Sequence, residues 1–142
     1  MRALPSYAVL AFVSFLLHLV WERSHIVLYT GYEALEGVLP VFVYATIGDV
    51  AYTLFAAFLF AVVYRDGEWM KTAAGREYAV LALLGLCIAI LVEMKAMYLD
   101  RWEYTHAMPL LYGLGLSPLI QMTVLLPLSV LITVAIVRRL RI

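Results

Sequence analysis

Three observations predict an all-α integral membrane protein built as a bundle of four spanning helices. The first is composition. Of 142 residues, 65% are hydrophobic and only 14% charged, and the mean hydropathy is +0.95. A soluble domain has nearer half its residues apolar and about a quarter charged. This chain has too little polar side chain to cover a water-facing surface, so its solvent is lipid. The second observation is four apolar segments, each near the ~20 residues a helix needs to cross a bilayer. The third is that polar residues inside those segments recur at helical spacing.

The first span covers residues 6–29. It is too long for the apolar core of a secretory signal and lacks a small-residue cleavage site after it, so it reads as a retained helix. The second, 41–64, is entered through Pro40, and the third covers 77–99. The fourth, 117–137, begins where Ser117 can cap and Pro118 can take the first helical position. Pro127 is expected to kink it by removing a backbone donor. The connection GYEALEGVL (31–39) is acidic, and RDGEWMKTAAGR (65–76) is a short polar turn. DRWEYTHAMPLLYGLGL (100–116) is long, aromatic and glycine-rich, and reads as an interfacial or re-entrant piece. The whole chain, 1–142, reads as a single transmembrane domain.

Charge fixes orientation and excludes some partners. Net charge is zero, so nothing points to nucleic acid. With four spans, the termini and the middle turn share a side that carries Arg2, Arg65, Lys71, Arg76, Arg138, Arg139 and Arg141. The other side carries Arg23, Lys95 and Arg101. The positive-inside bias then puts both termini in the cytoplasm of a multi-pass cell-membrane protein. One cysteine, Cys87, excludes an internal disulfide, and with three histidines it excludes a cysteine-rich zinc site.

Inside the spans lies an unusual set of side chains. In LLHLVWERSHIVLY (16–29), Ser14, His18, Glu22, His25 and Tyr29 follow 4-4-3-4 spacing, which places them on one helical face. In the second span Thr46, Asp49 and either Tyr52 or Thr53 share a face. Glu93 lies in the third span and Gln121 near the start of the fourth. Given alternating helix directions, His18, Glu22, Asp49, Glu93 and Gln121 fall in the same half of the membrane. A charge exposed to lipid costs at least about 2.5–3.5 kcal/mol, so these groups are expected to face the bundle interior.

Three readings fit this cluster. A structural network would join the acids to Tyr, His and Gln partners, each contact being worth roughly 0.6–2 kcal/mol. A proton-transfer site would use Glu22 or Glu93 as acid and Asp49 or His18 as base, since environment separates the roles of neighbouring titratable groups. It needs no cofactor. Its apolar surroundings suit a lipid or isoprenoid substrate, held by Trp21, His25, Tyr29, Tyr52, Trp102 and Gln121. A metal centre would use two E-x-x-H pairs, Glu22 with His25 and Glu103 with His106, plus Asp49 and Glu93, a set resembling that of di-iron bundles. Haem held by two histidines requires them on facing helices, whereas His18 and His25 share one. A small cation or proton carrier is a further alternative, one that calls for a homodimer.

Two resemblances bear on these readings. The stretch R-W-E-Y-T-H-A-M-P (101–109) followed by G-L-G-L-S-P-L-I-Q (113–121), with W-E at 21–22 and G-D at 48–49, resembles a pattern in small bacterial four-helix multi-pass proteins of unknown function. That likeness implies the fold and lends no activity. H-L-V-W-E (18–22), L-Y (28–29) and G-D-V-A-Y (48–52) are similar to segments of the sterol isomerase family that includes emopamil-binding protein. It implies proton relocation in an intramembrane cavity, with His18 and Glu22 as the acting pair and Asp49 beside them. This chain is shorter than that family, and its G-D helix follows the His-x-x-x-Glu helix directly.

Overall fold

The computed structural model of the protein describes residues 4–31 and 39–140. Arg2, Arg141 and most of the acidic connection 31–39 lie outside the described residues. Four helices dominate: α1 (Leu4–His25), α2 (Val41–Tyr64), α3 (Gly75–Tyr98) and α4 (Leu116–Leu140). All four are long and apolar enough to cross a membrane, and the chain is a multi-pass membrane protein.

The boundaries have local causes. α1 stops at His25 rather than running to residue 29, and a single 3-10 turn (Ile26–Leu28) leads into strand β1 (Tyr29–Thr30). Tyr29 therefore leaves the helical row that its spacing suggested. α2 ends at Arg65, which caps it in the left-handed region at φ +53°. α3 starts where the Glu77 carboxylate accepts the Ala74 backbone N–H at 3.0 Å and the Tyr64 hydroxyl at 2.9 Å. α4 begins one residue before Ser117 and runs to Leu140, with Pro127 inside it. The Ser117 hydroxyl bonds His25, so it does not cap its own helix.

Segment 100–116 is ordered backbone, which neither its composition nor its spacing announces. Strand β2 (Glu103–Tyr104) pairs antiparallel with β1, Tyr29 facing Tyr104 and Thr30 facing Glu103. Strands β3 (Leu110–Leu111) and β4 (Leu114–Gly115) form a hairpin. Its two turn residues, Tyr112 and Gly113, have φ of +51° and +85°. Positive φ at both centres is what a two-residue hairpin turn demands, and glycine meets it without strain. These strands form a small β cap across one end of the bundle.

The helices pack in the spatial order α2, α1, α4, α3, each against its neighbours, while α2 and α3 scarcely touch. α4 is central and buries a stripe through Pro118, Met122, Leu125, Ser129 and Val130, the helical periodicity of a packed face. It meets α3 most closely at Gly85, where a methyl group would lie 2.3 Å from the Met122 carbonyl oxygen. The end away from the cap is packed solid at its centre, with a smaller open pocket of about 240 Å³ at the α2–α3 turn. Leu10, Ala56, Phe60, Leu81 and Val134 are buried there with Trp69 and Met70 of the α2–α3 turn. The Trp69 indole stacks on Phe60 at 4.7 Å and donates to the Ala57 carbonyl at 3.0 Å.

Candidate functional site

The cap end is not solid. All four helices line a cavity of about 410 Å³ that Arg101 and Trp102 help to close. Its walls are mostly apolar, with Val41, Phe42 and Ala45 from α2 and Ile88, Ala89 and Val92 from α3. Glu22, Asp49 and Glu93 all face it. Their common placement follows from the 3.6-residue period, which puts Glu22 and His25, Asp49 and Tyr52, and Glu93 and Ala89 on the cavity-facing side of their respective helices.

Gln121 ties the acids together. Its side-chain nitrogen lies 2.8 Å from Glu22 Oε1, 2.7 Å from Asp49 Oδ2 and 3.1 Å from His18 Nδ1. An amide nitrogen has two hydrogens, and the two carboxylates take both. His18 Nδ1 also lies 3.2 Å from Asp49 Oδ2, an ion-pair contact. Nε2 of His18 is buried behind the cavity wall without a partner among the described residues. Ser14 Oγ, one turn earlier on α1, is likewise buried without a partner among the described residues. On the other side of Glu22, Oε2 lies 3.2 Å from His25 Nε2, and His25 Nδ1 is 2.7 Å from Ser117 Oγ. A continuous chain of polar contacts thus crosses α4, α1 and α2.

Glu93 stands apart from that chain. It is 3% exposed, and its Oε2 accepts a short hydrogen bond from the Tyr104 hydroxyl of β2. Burial, and then the carboxyl of Glu93, push the Tyr104 phenol above its ordinary value of 10.0, so it stays a donor. The cap around it is aromatic: Tyr29 packs against His25 at 5.3 Å, Tyr104 at 5.7 Å and Trp102 at 6.0 Å. The aromatic character of segment 100–116 therefore has a physical cause. Trp102 lines the cavity, Tyr104 packs against Tyr29, and the Tyr104 hydroxyl holds a buried acid.

Of the side chains singled out by spacing, Glu22, His25, Tyr29, Asp49, Tyr52, Glu93, Trp102 and Gln121 line the cavity. His18 supports Asp49 from behind. Trp21 does not line it and packs edge-on against His25 instead. Glu103 and His106 are exposed on the cap, so the second E-x-x-H pair is not brought to bundle depth. Among the described residues no three His, Cys, Asp or Glu side chains converge as a metal site would require. Tyr104, Ser117 and Arg101 were not singled out as site residues. The W-x-Y spacing and the serine before Pro118 were visible, but their partners are 11 and 92 residues away.

No family model, curated protein or solved structure matches the chain.

Proposed function

We propose that the protein is an intramembrane acid–base enzyme, of isomerase or cyclase type, acting on an apolar lipid or isoprenoid-like substrate. One observation carries this reading. A single, mostly apolar cavity presents two separate hydrogen-bonded acid groups, Glu22–Gln121–Asp49–His18 and Glu93–Tyr104. Shifting a double bond or closing a ring requires a proton delivered at one carbon and removed at another, which separately held groups can do.

In this mechanism Glu93 is the acid. Tyr104 occupies its Oε2 and leaves Oε1 to carry the proton. Asp49 is the base, steadied by the Gln121 N–H and by His18 Nδ1 3.2 Å away. Glu22, accepting from Gln121 and lying 3.2 Å from His25 Nε2, provides fixed negative charge beside a cationic carbon intermediate, a form of preorganised electrostatic stabilisation. Trp102, Tyr29 and Tyr52 supply aromatic faces to such a cation. The poorly joined α2 and α3 both line the cavity, and the gap between them suits entry of a lipid sideways from the bilayer. The same reading sets the chain in the cell membrane with both termini cytoplasmic, supported by the seven-to-three distribution of Lys and Arg near the helix ends.

Deuterium wash-in tests it. Purified protein in vesicles of total membrane lipid extract, held in D2O, should place carbon-bound deuterium in an isoprenoid lipid, read by mass spectrometry. Glu22→Gln should slow this by about 10²–10³, the usual cost of removing one electrostatic stabiliser. Wild-type protein that labels no lipid carbon, or a Glu22→Gln variant as fast as wild type, sinks the proposal.

The bridging at Gln121 favours a second reading, a non-enzymatic membrane protein whose polar network clamps three helices. That role predicts lowered thermal stability in Glu22→Gln with function retained.

A further inference from the structure

We infer that Ser117 is an activated nucleophile and that Glu22, His25 and Ser117 form a site for acyl transfer from lipid esters. This goes beyond proton transfer and does not rest on it.

The proton positions follow from the contacts. Glu22 Oε1 accepts a Gln121 N–H at 2.8 Å. Its Oε2 lies 3.2 Å from His25 Nε2, a contact whose negative charge favours the ring proton on that nitrogen. With the proton on Nε2, Nδ1 of His25 carries the lone pair, and the partner 2.7 Å from it is Ser117 Oγ. The serine hydroxyl therefore donates to the ring. A hydroxyl bonded to an imidazole base, which an acid in turn orients, is the arrangement that makes serine nucleophilic. The template is recognised by geometry and roles, whatever the chain order. Here the two ring nitrogens serve in the opposite sense from the familiar triad, with serine on Nδ1 and the acid on Nε2.

Location agrees with the chemistry. His25 is 7% exposed and faces the cavity, as does Pro118, the residue after the serine. Ser117 does not line the cavity itself; it is half-buried beside it in the first turn of α4, hydrogen-bonded to the lining residue His25, where the helix dipole favours developing negative charge. An ester of a fatty acid fits the apolar walls.

The step is balanced as follows. Ser117 Oγ bonds to the acyl carbon, its proton passes to His25 Nδ1, the ester C–O bond breaks, and His25 returns the proton to the departing alcohol. Water then attacks the acyl-serine by the same route and releases the fatty acid and free Ser117.

A fluorophosphonate probe tests the site without knowledge of the natural substrate. Attack forms an Oγ–P bond, breaks P–F, expels fluoride and passes the serine proton to His25. Among the five serines, Ser6, Ser14, Ser24, Ser117 and Ser129, peptide mapping of folded wild-type protein should find the adduct on Ser117. Exposed Ser24 is the internal reference. His25→Gln should slow labelling by about 10²–10⁴, the usual contribution of a positioned base. The inference is overturned if Ser117 of the folded wild-type protein reacts no faster than Ser24, a comparison that needs no variant. It is equally overturned if His25→Gln labels at the wild-type rate. Labelling is read independently of deuterium wash-in, so failure of one assay leaves the other reading standing.

Discussion

The two ends of this bundle are made by the same four helices and differ in what fills them. At the end away from the cap, Leu10, Ala56, Phe60, Leu81, Trp69 and Val134 pack into continuous apolar contact. At the capped end the same helices hold a cavity of about 410 Å³ with three carboxyl groups on its wall. A cavity and buried acids both work against stability. The difference teaches a division of labour. The solid end holds the helices together, and the capped end holds a cavity and buried polar groups that the solid end makes tolerable.

That division predicts unequal responses to mutation. The largest effect belongs to the solid end. Trp69→Ala removes a side chain that is 2% exposed and should cost about 3–5 kcal/mol, seen as a large drop in thermal unfolding temperature in detergent. A small drop there would erase the contrast between the ends.

Tyr104→Phe comes next. It removes the donor that holds Glu93 and should cost about 1–3 kcal/mol, the penalty of leaving a buried polar group without its partner. The pH dependence has a definite sign. Because the folded-state phenol sits above its ordinary value of 10.0, its contribution is complete below pH 10. It declines as pH rises above that value, where the unfolded chain loses the proton first. Wild-type stability should therefore fall above pH 10 more steeply than that of Tyr104→Phe. Glu22→Gln, the variant that should abolish most wash-in, is nearly isosteric. It weakens the Gln121 hydrogen bond and the His25 contact, and its stability loss should be smaller still, about 1 kcal/mol.

Much of this architecture was legible in the sequence, for reasons that also mark where legibility ends. Span length and composition identify the helices because lipid admits little else. The 4-4-3-4 spacing of Ser14, His18, Glu22, His25 and Tyr29 identifies a polar face, and four of the five stay on α1. Tyr29 departs because a strand pairing with Tyr104, 75 residues on, outcompetes continuation of the helix. Two-residue strands are too short to show an alternating pattern, so the β cap could not be read from segment 100–116. Gln121 could be flagged as an amide in an apolar span. That one nitrogen would reach Glu22, Asp49 and His18 depends on how three helices are rotated against each other, which no local spacing encodes. Ser117 illustrates the same limit. A serine before proline at a helix start reads as a cap, and only the approach of α1 turns its hydroxyl to His25.

The claim on which the account turns is that the hollow beneath the cap is occupied by an apolar molecule. Gly48 lines that hollow, and nothing lies within 4 Å of where its side chain would project, so Gly48→Trp should fill the space without disturbing the packed end. Native mass spectrometry of wild type and Gly48→Trp, released from the same membranes, makes the comparison directly. The account predicts a lipid or isoprenoid adduct on wild type that is lost from Gly48→Trp, with the unfolding temperature unchanged within a few degrees. An identical adduct pattern on both proteins would contradict it.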